Sequence, residues 1–222
     1  MAVITAHSGC DGTKDNSIEF LRYALNSDAD CMEADVRRNQ AGALILSHNK
    51  TEEECVTLQE AFCILKQFPE KKMNCDLKEE GLEVSVYQLA GENGVRHQLI
   101  YSGEINLNLL AEKEKWYPEV QVYINPENLQ ADFYERMAEE GSLKNLEELL
   151  AAVKGYPVSC INMEYQTYTD ETMELLAEMQ VMGSAWTVNE PDDIRRLLKK
   201  GLFNITTRNL TTALELKGEA EG

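Results

Sequence analysis

Asp30-Cys31-Met32-Glu33-Ala34-Asp35-Val36, followed by Asn39-Gln40-Ala41-Gly42 and then by Leu44-Ile45-Leu46-Ser47-His48, is the stretch on which the reading of this chain turns. Residues two apart in a strand share a face, so Cys31, Glu33 and Asp35 point one way and Met32, Ala34 and Val36 the other. A turn over residues 39–42 folds the apolar run back, and that register sets Glu33 opposite His48 and Asp35 opposite Leu46. Two carboxylates and an imidazole then share one sheet face. Acids buried side by side are costly unless a proton or a cation comes between them. An all-oxygen carboxylate cluster suits a hard divalent ion, Mg²⁺ or Ca²⁺. The plain alternative for this stretch alone is an edge strand whose acids face water.

The chain around it has 222 residues, enough for one large α/β domain or two small ones. An apolar fraction of 43% supports a packed core. The formal charge of −18 disfavours nucleic acid, whose binding depends on neutralising phosphates, and it equally disfavours anionic membrane surfaces. A phosphate-bearing small molecule stays compatible, because a bound divalent metal reverses the local field. The six cysteines show no C-x-x-C spacing, which reads as free thiols in a reducing compartment, without disulfides or zinc. Cys31, Cys75 and Cys160 lie in apolar runs, where a thiol serves as a small hydrophobe. Residues 1–7 lack the basic and long apolar regions of a signal peptide, and no apolar run approaches ~18 residues. The expected location is cytoplasmic, without stable membrane association.

Working outward, an apolar run at 2–6 ends in His7-Ser8-Gly9, and a helical pattern at 18–25 follows Asp15-Asn16-Ser17, where Asn16 or Ser17 is a good N-cap. Beyond the hairpin, Thr57 caps a helix that stops before Pro69. Met73-Asn74-Cys75-Asp76-Leu77-Lys78 is a strand with Asn74, Asp76 and Lys78 on one face. Further strands are expected at 97–102, 119–124, 158–163, 181–188 and 202–206. Helices are expected at 81–92, 105–114, 127–140, 143–153, 170–179, 191–200 and 210–217, with Gly141-Ser142 separating the fourth from the third. Apart from the hairpin's return strand, this gives eight strands, each followed by helical pattern. Strict β/α alternation implies a parallel sheet with right-handed crossovers. Eight repeats fit a single-domain (β/α)₈ TIM barrel over residues 1–222, with an extra hairpin strand after strand 2. An open doubly wound sheet is the other architecture, but no G-x-G-x-x-G or P-loop supports it. A barrel carries its chemistry at C-terminal strand ends, where His7, Glu33, Asp35, Asp76, Lys78 and Trp186 fall. His97 starts its strand, at the opposite rim, and reads as structural.

In order along the chain, His7-Ser8-Gly9, Asp15-Asn16-Ser17, Glu33-x-Asp35, His48-Asn49, Asp76-x-Lys78, Trp186-Thr187-Val188-Asn189 and Gly201 to Arg208 resemble the glycerophosphodiester phosphodiesterase family. The resemblance implies a TIM barrel and hydrolysis of glycerophosphodiesters to an alcohol and glycerol phosphate. It makes His7 and His48 the acid/base pair and Glu33, Asp35 and Asp76 the ligands of a divalent metal, Mg²⁺ or Ca²⁺. Lys78, Ser8 and Trp186 become substrate contacts, with a small-molecule phosphodiester as the partner. Several positions depart from the pattern. Ser8 stands where the family has an arginine on phosphate, Asn49 replaces an aspartate, and Asp76 is one methylene shorter than the usual glutamate. Residues 49–75 leave room for little more than one helix where the family carries an insertion. These departures motivate an alternative, a barrel of the same fold that binds phosphate esters in a regulatory role with little or no turnover.

Overall fold

The structure is a computed structural model and describes residues 2–138 and 142–221. Nine strands make one sheet: β1 (Val3–His7), β2 (Cys31–Arg38), β3 (Leu44–Leu46), β4 (Lys72–Leu77), β5 (Leu99–Gly103), β6 (Gln121–Ile124), β7 (Cys160–Glu164), β8 (Gly183–Trp186) and β9 (Asn204–Thr207). All but β3 run parallel in the order β1-β9-β8-β7-β6-β5-β4-β2, and β1 also pairs with β2, so the sheet closes into an eight-stranded barrel. Strand β3 hangs antiparallel on the end of β2. The expected TIM barrel with one additional hairpin strand is the observed fold.

Alternation along the strands divides the protein into two cores. Outward-facing Ile4 and Ala6 of β1, Met32, Ala34 and Val36 of β2, and Met73, Cys75 and Leu77 of β4 join a continuous layer with helix residues such as Phe20, Leu21, Phe62 and Leu65. Inside the barrel, a small apolar floor is made by Cys31, Ile100, Tyr123 and Cys160 with Val3 and Phe203 packed on it. All six cysteines are free, and the Cys31 thiol is pushed up to about 12 by burial. Above the floor the interior turns polar. Thr5 donates to Asn204, Asn204 to Ser184, Ser184 to Asn162 and Asn162 to Asn125, each at 2.7–2.8 Å. Bonded polar groups of this kind are tolerated in a core where isolated ones are not, and this chain of bonds holds up the floor of the cavity above it.

Local sequence explains most element ends. Ser17 caps the helix Ile18–Asn26, and Thr57 with Glu60 forms a capping box on Leu58–Leu65. The expected helix over 105–114 is two short ones, Leu107–Ala111 and Lys113–Trp116. The span expected as helix 127–140 holds Pro126–Leu129 and Phe133–Ala138, separated where Gln130 turns extended. Residues 139–141, including the expected break at Gly141, lie outside the described residues.

Asp11 ties the segment after β1 to the last helix. Its carboxylate accepts from the backbone N–H of Leu210 and Thr211, the Thr211 hydroxyl and the Tyr23 hydroxyl, capping the helix Leu210–Glu221 from the other end of the chain. Burial raises its carboxyl, but the hydrogen bonds from Thr211 and Tyr23 outweigh it and hold Asp11 below the usual carboxylate range. A depressed acid stabilises the fold above its unfolded pKa, and that support disappears as pH falls through the folded value. Asp11→Ala is expected to cost about 1–2 kcal/mol in urea unfolding, the scale of a lost N-cap. Asp11→Asn, which tolerates the positive φ of 48° at this position, is expected to recover part of that loss.

Candidate active site

Ladder register brings the functional side chains together. His7 pairs with Glu33 across β1–β2, and Glu33 with Asn74 across β2–β4. One inward level higher, Asp35 pairs with Asp76 and Asp76 with Ser102 of β5. Glu33, Asp35 and Asp76 each offer a carboxylate oxygen, and these oxygens lie within 4.8 Å of one another. Glu33 and Asp35 are buried, 5% exposed each. The cluster lines a cavity of about 960 Å³ at the C-terminal mouth of the barrel, together with His7, His48, Lys78, Trp186 and Arg208.

Two glycines let backbone come close enough. A Cβ on Gly9 (φ 78°) would sit 1.9 Å from an oxygen of Asp15, and one on Gly103 (φ 83°) would sit 2.5 Å from Asp76 Oδ1 and 2.3 Å from the Leu77 carbonyl. Ser102 donates to Asp76 Oδ1 at 3.0 Å. Asn16, which could have been the N-cap of the first helix, leaves that to Ser17. Its amide instead clamps Asp35, donating to Oδ2 at 2.7 Å and accepting from the Asp35 N–H at 3.1 Å.

The hairpin register differs from expectation. Val36 pairs with Leu46 and Arg37 with Ile45, one residue away from the register that would place Leu46 opposite Asp35 and His48 opposite Glu33. The turn is longer than residues 39–42: the Asn39 N–H donates to the Ala43 carbonyl, and the Ala43 N–H returns to the Asn39 side chain. A one-residue slip reverses every side chain's face. The observed register buries both Val36 and Leu46 in the outer core, whereas the other would have aimed Leu46 at the acids. His48 therefore lies beyond β3 and is exposed. It reaches the cavity because Arg37 Nε holds its carbonyl at 2.9 Å, and its ring touches Asn49 Oδ1 at 3.2 Å.

Electrostatics follow from burial. Burial, then the charges of Asp35 and Asp76, push the Glu33 carboxyl well above the usual range. Burial also works against Asp35, but the Lys78 ammonium, the Asn16 and Lys78 hydrogen bonds and His48 together hold it below that range. Lys78 lies 2.9 Å from Asp35 Oδ1 and also bonds Asp76. Desolvation pulls its ammonium down, and the two acids more than reverse that. Burial holds His7 below the usual histidine value, against the pull of the Ser8 carbonyl and with help from Arg208.

His7 Nδ1 lies 2.8 Å from the Ser8 carbonyl and 3.7 Å from Glu33 Oε2. Ser8 itself is fully buried. Its hydroxyl accepts from the Asn16 N–H at 2.6 Å, and its own N–H reaches Glu33 Oε2 at 3.4 Å. It is not among the residues lining the cavity; its hydroxyl and its N–H serve Asn16 and Glu33 instead. Ser8→Arg is accordingly expected to lower Tm, because a guanidinium has no room at a side chain with no exposure; overpacking of this kind costs roughly 1–3 kcal/mol. A stably folded variant with raised kcat/KM would show that the side chain can turn to the cavity. Trp186 is half-buried and donates from its indole nitrogen to the Asn162 carbonyl at 3.3 Å. His97 lies exposed at the far end of the barrel, just before β5.

Asn16, Asn74 and Arg208 were not picked out as site residues by the sequence. Arg208 follows β9 by one position, and the strand-end rule that selects His7 and Trp186 would have selected it. Asn74 is 5% exposed and lines the cavity, and its Oδ1 is without a hydrogen-bond partner among the described residues.

No family model matches the chain, and no curated protein matches it in sequence. Solved structures do. One from Agrobacterium tumefaciens, bearing the name glycerophosphoryl diester phosphodiesterase, aligns with TM-score 0.77 and 17% identity over 100% of this chain and 99% of its own. A glycerophosphodiester phosphodiesterase from Parabacteroides distasonis aligns with TM-score 0.74 and 17% identity over 100% and 98%. An Oleispira antarctica phosphodiesterase, solved with its product sn-glycerol-3-phosphate, aligns with TM-score 0.68 and 16% identity over 97% and 96%. Over its full length, this chain has the fold of the glycerophosphodiester phosphodiesterase structures.

Proposed function

We propose that this chain is a metal-dependent phosphodiester hydrolase that cleaves glycerophosphodiesters to an alcohol and glycerol phosphate, acting as one domain over residues 1–222. The observation that carries this reading is the convergence of Glu33, Asp35 and Asp76 with two histidines in one cavity at the C-terminal mouth. The structural likeness to a phosphodiesterase holding sn-glycerol-3-phosphate supports it. The residues fit a hard divalent cation: the donors are all oxygen, two of the three acids are buried, and an Asn74 oxygen without a partner among the described residues lies on the same wall. Glu33, Asp35 and Asp76 would hold Mg²⁺ or Ca²⁺, which when bound supplies Lewis-acid polarisation of a phosphoryl oxygen.

The chain's own groups would do the rest. His7, with Nδ1–H on the Ser8 carbonyl, keeps its Nε2 lone pair for the nucleophile's proton. His48, on the hairpin side, would donate its own proton to the leaving oxygen. Lys78, which bonds Asp35 and Asp76 at the cavity wall, would neutralise charge developing on the phosphoryl group. Six free thiols fit a reducing, cytoplasmic setting. One observation favours the second reading, a phosphate-ester binder with weak turnover: the Lys78 ammonium already satisfies Asp35 and Asp76. One experiment separates the two. Turnover of a panel of glycerophosphodiesters is expected with Mg²⁺, Ca²⁺ or Mn²⁺, to vanish after chelation and dialysis, and to return on adding metal. Activity that survives chelation removes the metal's role, and binding without turnover of any diester selects the second reading.

A further inference from the structure

We infer that Arg208 is a binding residue for the charged phosphoryl group, held in reserve on Asp15, beside His7, until a substrate arrives. The inference rests on the hydrolase reading and deepens it. Besides the two histidines, three cationic side chains line the cavity: Arg37, Lys78 and Arg208. Arg37 is committed to the His48 carbonyl and to Glu79. Lys78 shares its charge with Asp35 and Asp76. Arg208 is the most exposed of the three, at 44%, against 16% for Arg37 and 21% for Lys78. Its one ion pair among the described residues, Nη1 to Asp15 Oδ1 at 3.2 Å, joins two half-exposed groups, and pairs of that kind hold weakly.

The backbone beneath it is fixed. The Arg208 N–H donates to Asn189 Oδ1 at 2.9 Å, and its carbonyl accepts from the Asp11 N–H at 2.8 Å. Only the side chain has to turn. Extending the β1–β9 register by one residue from Ala6 and Thr207 places Arg208 beside His7, and Arg208 Nε sits 3.2 Å from His7 Nδ1. Arg208 thus lies just past the end of β9, which flanks β1 on the side opposite β2 and its acids. An anion between His7 and the carboxylate cluster would have Arg208 at one flank. A guanidinium offers a phosphoryl group a planar, permanently charged fork that an ammonium does not.

The test is calorimetric titration of the full chain, in Mg²⁺, with inorganic phosphate and with glycerol 3-phosphate, so that it does not depend on turnover. Arg208→Gln is expected to weaken both roughly 10- to 100-fold, the range of a lost charge-assisted contact. Arg208→Lys, which keeps charge but loses the fork, is expected to fall between. Asp15→Asn removes the competing carboxylate and is expected to tighten both ligands. Affinity in Arg208→Gln within twofold of the parent overturns the inference, even if turnover falls, because that split marks a role confined to the charge beside His7. If Arg208→Gln does not fold, unchanged or weaker binding in Asp15→Asn overturns it instead. A parent protein that binds neither ligand also overturns it, whereas the hydrolase reading is judged separately, by turnover of the diester panel.

Discussion

Replacing His7 or His48 by alanine is expected to lower kcat on a glycerophosphodiester by ~10²–10⁴, the usual contribution of a general acid or base. The larger loss is expected at His7. Its ring is oriented by the Ser8 carbonyl at 2.8 Å and flanked by Glu33 and Arg208. His48 is exposed, with its ring against Asn49 Oδ1, so part of its work can pass to water. Both rings keep clear of the main apolar layer, so Tm should move little. His97→Ala, at the other end of the barrel, serves as the control and should retain parental kcat. The pH profile gives an independent check. Burial holds His7 below the usual histidine value, so it is neutral at pH 7. The acid limb of kcat/KM that it governs should lie below about pH 6.5, the unperturbed value, and should disappear in His7→Ala. Parental kcat in either site variant removes that histidine from the chemistry.

The second large effect is expected at Lys78. Three carboxylates share a few ångströms of space, and the Lys78 ammonium is bonded to two of them. Lys78→Met keeps most of the stem and removes the charge. Without added metal, Asp35 and Asp76 then face each other uncompensated. Breaking a buried ion pair from one side costs roughly 3–5 kcal/mol, and the partial exposure of Lys78 places this case near the low end, about 3 kcal/mol. Divalent metal should recover that stability, because a ligand that binds only the folded state adds RT ln(1 + [L]/Kd). Removing the competing ammonium should also tighten the metal. The expected observation is a variant with a low Tm in chelator and a larger metal-induced rise than the parent. Equal rises in both proteins would mean that the metal does not meet Asp35 and Asp76. Turnover should still fall in the metal-loaded variant if Lys78 moves to the phosphoryl group.

Much of this was legible in the residues themselves, and for one reason: it is periodic. Alternating strand and helix signals gave the barrel, because a strand needs a two-residue period and a helix needs spacing near three and four. Glu33 and Asp35, two apart, had to share a face, and so did Asp76 and Lys78. Whether those two pairs met depended on parallel neighbouring strands, which β/α alternation implies.

What the tertiary structure decided lies where periodicity carries no information. The hairpin register was set by one extra residue in the turn and by the burial of Val36 with Leu46, and it moved His48 off the strand. Ser8 is buried away from the cavity, where Asn16, at a positive φ, presents its N–H to the hydroxyl and its amide to Asp35. Arg208 reached His7 across 201 residues of chain because the barrel closes β9 against β1. A strand pattern states which face a residue takes. Which strand lies next to it, and at what level, is settled only when the sheet closes.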